Sequence, residues 1–500
     1  MNGSLILLIL AVVPMLCAPL AWALGRKGGQ RAIAVMIACS AVEVAALIWL
    51  TALAAGGNAL RLTWEGFLGM GIRMRADGFR ALYAMIASVM WLVTSLFSRD
   101  YLRHDHATGR YAFFTLMTLG ATAGLFLSDS LYTAFLFFEV MSLASYPWVA
   151  HEETPEAMRA AQTYLYIAVI GGLVMLMGLF LLWHALGTLT ISELLPAAAQ
   201  YQEKGTLYAA GVCLLVGFGA KAGAFPLHIW LPKAHPVAPA PASALLSGIL
   251  TKTGIFGILV VSSDLFLHDA AWGTVILAIG VLTMFGGAML AVFSVDLKRT
   301  LACSSMSQIG FIMVGIGMQG LLAEENALAV HGALLHMVNH SMIKLVLFMA
   351  AGVIFMNTHA LNLNEIRGFG RKKPLLKGIF LVGALAIAGI PLFGGYISKT
   401  LIHESIVEYG GGWLMRAVEY IFLFSGGLTV AYMTKLFGAI FVEENEDKEL
   451  QKKFDEKKKY MNRESGFALT VSAAALFVWG LFPHAIMDRV AELGQGLMHL

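Results

Sequence analysis

The sequence predicts an all-α polytopic membrane protein of about fourteen transmembrane helices, with two inverted five-helix repeats that each contain a discontinuous helix. Three observations carry this. Apolar runs of ~20 residues, the length that crosses a ~30 Å hydrocarbon core, recur from Leu5 to Phe482 with short polar breaks between them. Hydrophobic residues make up 58% of the chain and charged ones 13%, a balance that excludes a disordered chain and an ordinary soluble globule. Two of the runs are interrupted by Pro, Gly and Lys where lipid would penalise all three.

The first apolar run, 4–24, has no Lys or Arg ahead of it and Arg26, Lys27 and Arg31 behind it, so it reads as a retained helix, not a signal peptide. Spans follow at 32–55, 81–98, 111–127, 130–150 and 160–186. The seventh, 206–231, must break. In GFGAKAGAFPLHIWLPKAHPVAPAPASALLSGILTKTG, from Gly217, five prolines remove backbone donors and push the residues before them out of the helical region. A broken helix at membrane depth survives only inside protein or beside water. Spans continue at 240–262, 273–294, 300–320 and 328–355. The twelfth, 378–407, breaks at AGIPLFGGYISK, residues 388–399, and 413–441 and 465–485 complete the set. Residues 442–463, charged with both signs, read as a solvated, helical connector, and 363–377 as a positive flank.

A break in the fourth helix of two consecutive five-helix blocks points to an inverted repeat, because an odd count turns the second block over. The expected organisation is a three-helix region at 1–110, repeats at 111–265 and 266–441, and a charged loop with the last helix at 442–500. Most of the 34 Lys and Arg fall in loops after odd-numbered helices. Those loops are therefore expected on the cytoplasmic side and both termini on the other.

The four cysteines sit singly in apolar runs with no C-x-x-C, so neither an iron–sulfur cluster nor structural zinc is expected. No phosphate-binding glycine motif follows a strand, and no cofactor, metal or nucleic acid is expected. The chemistry lies instead in ionisable groups inside spans, where a lysine costs at least ~2.5 to 3.5 kcal/mol. Glu139 lies mid-span in the fifth helix, Lys221 and Lys252 in the seventh and eighth, and Lys399 at the second break. His336, His340 and Lys344 in the eleventh share one face at i, i+4, i+8 spacing. One acid followed by a series of bases is what a lateral proton wire needs. The simpler reading, an ionisable group that satisfies a neighbour or snorkels, fits Arg416 and Lys435 near span ends.

These residues carry a resemblance, over about residues 110–435, to the antiporter-like subunits of complex I, multisubunit sodium/proton antiporters and energy-converting membrane-bound hydrogenases. FFEVMSLASY around Glu139 resembles the family's fifth-helix glutamate motif, KAGAFPLHIWLPKAHPVAPAPASALLSGILTKTG its seventh and eighth helices, DLKRTLACSSMSQIGFI its tenth, and HMVNHSMIKLVLFMAAG its eleventh. The resemblance implies Glu139 paired with Lys221, a central relay through Lys252, His336 and His340, and an exit lysine at Lys399, with His228 tuning the relay or lining its water. One position departs: the usual W-L-P-D-A is here Trp230-Leu231-Pro232-Lys233-Ala234.

The expected function is a proton- or cation-translocating subunit of a multisubunit redox-driven pump or antiporter: a translocase subunit of an oxidoreductase complex, NADH dehydrogenase-like or hydrogenase-like, with no redox centre of its own. Its expected partners are other integral membrane subunits, the lipid bilayer, and protons or sodium, in a bacterial or archaeal cytoplasmic membrane. Burial disfavours an ammonium and a neighbouring carboxylate favours one, so separating Glu139 from Lys221 would gate proton release. The rival readings are a stand-alone secondary antiporter, a structural scaffold, and a membrane enzyme binding haem or quinone.

Overall fold

The computed structural model describes residues 2–67 and 69–498, which are almost wholly helical. The amino-terminal region holds α1 (Ile6–Gly25), α2 (Gly29–Ala55) and α3 (Gly78–Tyr101). Next come α4 (Thr108–Phe126), α5 (Leu131–Val149), α6 (Pro155–Leu186), the short α7 (Ile191–Gln200) and α8 (Lys204–Ala222). A 3-10 turn, Leu227–Trp230, leads into α9 (Leu231–Val237), while a π turn, Leu246–Leu250, joins α10 (Ala240–Leu245) to α11 (Thr251–Asp264). Then follow α12 (Ala270–Phe293), α13 (Leu297–Leu322), α14 (Ala327–Thr358), α15 (Leu363–Ile366), α16 (Pro374–Ala388), α17 (Gly394–Tyr409) and α18 (Gly412–Phe441). The chain continues through α19 (Lys448–Glu456), α20 (Arg463–Leu481) and α21 (Pro483–Met498).

Eleven helical stretches among the described residues are long and apolar enough to cross a membrane, counting α8–α9 and α10–α11 as one each. The other expected spans coincide with α4, α5 and the half-helices α16 and α17, which are shorter or more polar. The connector at 442–463 is helical only over α19.

The sequence reading left a gap between 55 and 81. Here strands β1 (Asn2–Gly3), β2 (Leu60–Trp64) and β3 (Ile72–Ala76) form a small antiparallel sheet with Leu62 opposite Met74, both buried, and arginines alternating with them. Thr133 of α5 accepts from the Arg73 amide at 3.0 Å, so the sheet anchors the start of the helix that carries Glu139.

Burial does not follow apolarity. The strongly apolar α1 and α6 bury only about a third of their most apolar stretch within the chain, whereas α10–α11 is wholly buried and α13 is buried over all but its ends. Those interior helices carry the Ser, Thr, Gln and Lys residues, because a polar side chain in a bilayer is tolerable only where protein supplies its partners. Close backbone approach makes this interior dense: a Cβ on Gly280 of α12 would lie 2.9 Å from the Val314 amide of α13, and one on Gly273 would lie 2.8 Å from the Gly317 carbonyl. Only glycine lets the two backbones meet this closely.

Candidate functional site

The two breaks are built alike. Helix α8 ends at Gly223 and α16 at Gly389, both left-handed, with φ of 76° and 77°. At each, the glycine amide donates to the carbonyl three residues back and the next amide to the one five back: Ala224 to Gly219 at 2.9 Å, Ile390 to Leu385 at 3.2 Å. This cap satisfies two of the carbonyls that a helix end leaves free and exposes others to side chains.

Buried amines take up backbone carbonyls, one of them at such a helix end. Lys399 donates to Ile387 O, in the last turn of α16, at 2.8 Å, with its ammonium 4.7 Å from the Phe311 ring centroid. Lys252 donates to Ser247 O, in the π turn, at 2.7 Å. Lys344 donates to Leu301 O at 2.8 Å and to the Ser304 hydroxyl. All three are at least nine-tenths buried, and no carboxylate within the described residues forms an ion pair with any of them.

The histidines join them. His336 sits between Ser398 Oγ, 2.9 Å from Nδ1, and Gln308 Oε1, 3.0 Å from Nε2. The amide oxygen can only accept, so Nε2 carries a proton, and the serine hydroxyl can donate to Nδ1 or accept from it. That arrangement accommodates the ring both neutral and protonated. His340 stacks parallel to His336, centroids 6.4 Å apart and planes 4° apart, and neither of its nitrogens has a hydrogen-bond partner among the described residues. His340 is within electrostatic reach of Lys252, Lys344, His336 and Lys399, which makes it the hub of the central group.

Glu139 and Lys221 differ from the pairing the resemblance implies. They form no contact ion pair. Lys221 donates to Tyr164 Oη of α6 at 2.6 Å, and Tyr164 shares a 2.5 Å hydrogen bond with Ser145. Tyr164 therefore competes for the amine that Glu139 would otherwise hold. The two charges remain in electrostatic reach of each other. A cavity of about 10 Å³ at water-molecule centres, room for roughly one water, lies against Lys221, Tyr164, Ser142 and Trp230. Glu139 is half-buried next to exposed Val140 and Leu143, and its Oε1 has no partner among the described residues. Its carboxylate lies on Gly172 of α6, where a Cβ would come within 2.9 Å of its Cδ.

His228 is not brought to the central group. It lies half-exposed in the 3-10 turn, stacked on the exposed Phe225 at 5.8 Å. A histidine seven residues later takes the buried position: His235 of α9 is fully buried, stacks on Phe348 at 4.8 Å, and has no partner for either nitrogen among the described residues. Lys233, the unusual cation of this segment, is exposed and not part of the buried group. Lys435 donates to Ala291 O and Val292 O at 3.1 and 2.7 Å and to Ser294 O, a cap on α12, in line with its structural reading. The sequence reading missed Tyr164, Gln308, Ser398 and His235; only His235 offered a signal, as an ionisable group in the segment already marked by its prolines.

The transmembrane family described as NADH:quinone oxidoreductase/Mrp antiporter matches residues 128–425, which include every helix of this arrangement. The chain belongs to this family. Among its similar relatives, hydrogenase-4 component B of Escherichia coli is 32% identical over 386 residues, 74% of this chain and 57% of that protein. A Na(+)/H(+) antiporter subunit of Alkalihalophilus pseudofirmus is 31% identical over 386 residues, 77% of this chain and 76% of that one. The chain thus spans little more than half of the hydrogenase component it matches. A chain of the Mrp complex from Dietzia sp. shares the fold at a TM-score of 0.85 and 22% identity, covering 98% of this chain and 97% of that chain. A chain of respiratory complex I from Thermus thermophilus does so at 0.81 and 19%, covering 99% of each. This member of the family is an integral membrane protein.

Proposed function

We propose that this chain is a proton-translocating membrane subunit of a multisubunit redox-driven pump or antiporter. The carrying observation is the central group of Lys252, His336, Lys344 and Lys399, wholly or nearly buried and bonded to neutral oxygens, each in electrostatic reach of the buried, unbonded His340. Amines without a buried counter-ion suit proton exchange. A sodium ion wants a cage of oxygens, which ammonium groups repel.

Glu139 and Lys221 form the gate. In the arrangement with Lys221 on Tyr164, the carboxylate and the amine are apart; closing them at ~4 Å gains ~4 kcal/mol at an effective dielectric of ~20. A neighbour touching the half-buried Glu139 could drive this change, and the released proton would run through Lys252 and the histidines to Lys399. Partners are other membrane subunits, a reading supported by the Mrp and complex I assemblies whose chains share this fold. The matching glycine-capped breaks support the inverted repeats at 111–265 and 266–441. Positive loops support a cytoplasmic membrane with both termini on its outer side.

The test uses the intact assembly carrying this chain. Glu139→Gln and Lys221→Ala should each lower protons moved per driving event; full stoichiometry in both would refute the gate. A stand-alone antiporter would instead be active when purified alone.

A further inference from the structure

The groups bonded to His336 decide whether that ring can change its charge in a buried setting. Asn339, three residues on in α14, is 2% exposed and donates from Nδ2 to Gly394 O at 2.7 Å and to Ser398 Oγ at 3.2 Å. Its amide reaches the carbonyl because residue 394 has no side chain: a Cβ there would lie 2.5 Å from Asn339 Oδ1. Only the NH2 end of an amide can face a carbonyl, so the orientation of Asn339 is fixed and Ser398 Oγ has to accept from it.

Ser398 is fully buried, and its hydroxyl lies 2.9 Å from His336 Nδ1, 3.2 Å from Gly394 O and 3.4 Å from Gly395 O. A serine hydroxyl has one hydrogen and two lone pairs, and Asn339 occupies one lone pair. Against a neutral His336, whose Nε2–H is on Gln308 Oε1, the hydrogen points to the bare Nδ1. Against a ring protonated at Nδ1, the second lone pair accepts from the ring and the hydrogen turns to Gly394 O, the i−4 back-bond open to a serine in a helix. Ser398 and His336 are therefore fully bonded in both states. His340, its ring centroid 6.4 Å from that of His336, has no hydrogen-bond partner of this kind among the described residues.

We propose that Ser398 is a two-position hydrogen-bond switch for His336, held in place by Asn339, and that these two positioning residues set the proton affinity of the ring. On uptake, a proton binds Nδ1 while the Ser398 O–H turns to Gly394 O. Release reverses both movements, and nothing is oxidised. The inference rests on the relay reading of His336. The titratable groups facing the ring are Lys399 of α17, Lys252 of α11 and His340 of α14, while α13 presents the neutral Gln308 and Phe311.

The switch makes two variants act in opposite directions. Ser398→Ala removes a bond from both states but costs the imidazolium more, because a hydrogen bond from a charged donor is the stronger one. Asn339→Leu takes the amide donor from Gly394 O, so the hydroxyl hydrogen stays on that carbonyl and Nδ1 meets only a lone pair, which favours the protonated ring.

The test uses inverted vesicles containing the assembly, with dye-monitored proton movement per assembled complex followed across pH. The alkaline limb of the profile is expected to move down by about one pH unit in Ser398→Ala, tenfold in proton affinity, and up in Asn339→Leu. Ser398→Thr keeps the hydroxyl and should return the wild-type profile. A merely structural pair would lower assembly or amplitude without moving the limb; limbs that stay in place or move the same way overturn the switch. Should Asn339→Leu fail to assemble, the shift in Ser398→Ala and its return in Ser398→Thr decide alone. His336→Gln separates the two ways of failing. No movement in that variant, with unshifted limbs in the others, overturns the switch and leaves the relay standing. Wild-type movement in His336→Gln overturns the relay through the histidines and the switch with it.

Discussion

Replacing Tyr164 with phenylalanine removes the oxygen that holds Lys221, with little change in packing volume. The lost hydrogen bond, 2.6 Å long with a charged donor, is of a type worth ~1.5 to 3 kcal/mol. Lys221 then has Glu139 as its remaining strong partner, and contact would gain up to ~4 kcal/mol at ~4 Å and an effective dielectric of ~20. Removing the competitor should thus bias the gate toward its closed pair by roughly 10- to 150-fold, at ~1.4 kcal/mol per decade. If opening limits turnover, proton movement per complex falls by a comparable factor. The assay is driven proton movement in vesicles, paired with infrared difference spectra in which Glu139→Gln identifies the carboxyl bands. Tyr164→Phe should show Glu139 as an ion-paired carboxylate. A variant that assembles, moves protons at the wild-type rate and leaves the Glu139 bands unchanged would refute the competition between Tyr164 and Glu139.

Gly172→Ala would place a Cβ 2.9 Å from the Glu139 carboxyl carbon, so it should lower proton movement nearly as far as Glu139→Gln while native gels show normal assembly. Gly389→Ala meets a φ of 77° and the Lys399 side chain at 3.2 Å; the left-handed strain alone costs ~1 to 2 kcal/mol, and both the melting temperature and proton movement should drop. Lys435→Ala frees carbonyls at the end of α12, with a stability loss of ~1 to 3 kcal/mol. Because Lys435 acts as a cap, the fraction that still assembles should move protons at the wild-type rate per complex, read by quantifying complex and flux together.

The spans, both breaks and the principal ionisable residues were legible because a bilayer makes its demands in sequence. Length sets a span, proline and glycine in an apolar run set a break, and a charge mid-span advertises itself. What stayed hidden was contact. Tyr164 reads as one more aromatic in an apolar helix, and only the distance from Lys221 gives its hydroxyl a role. Lys298 sits beside Arg299 in a positive flank and looks solvated, yet it points inward under Phe355. Between His228 and His235 the helical phase is lost at the prolines, so no periodicity could say which ring faces the interior. The β2–β3 hairpin alternates only over five-residue strands, too short to stand out between two long helices.

The central claim is that buried bases exchange protons in turn, and Lys252 tests it most directly, since it is fully buried, has no acidic partner among its hydrogen bonds and lies in reach of His340. Lys252→Met in the intact, fully assembled complex should abolish driven proton movement while the assembly's melting temperature stays within a few degrees of wild type. Proton movement at the wild-type stoichiometry in that variant would contradict the account.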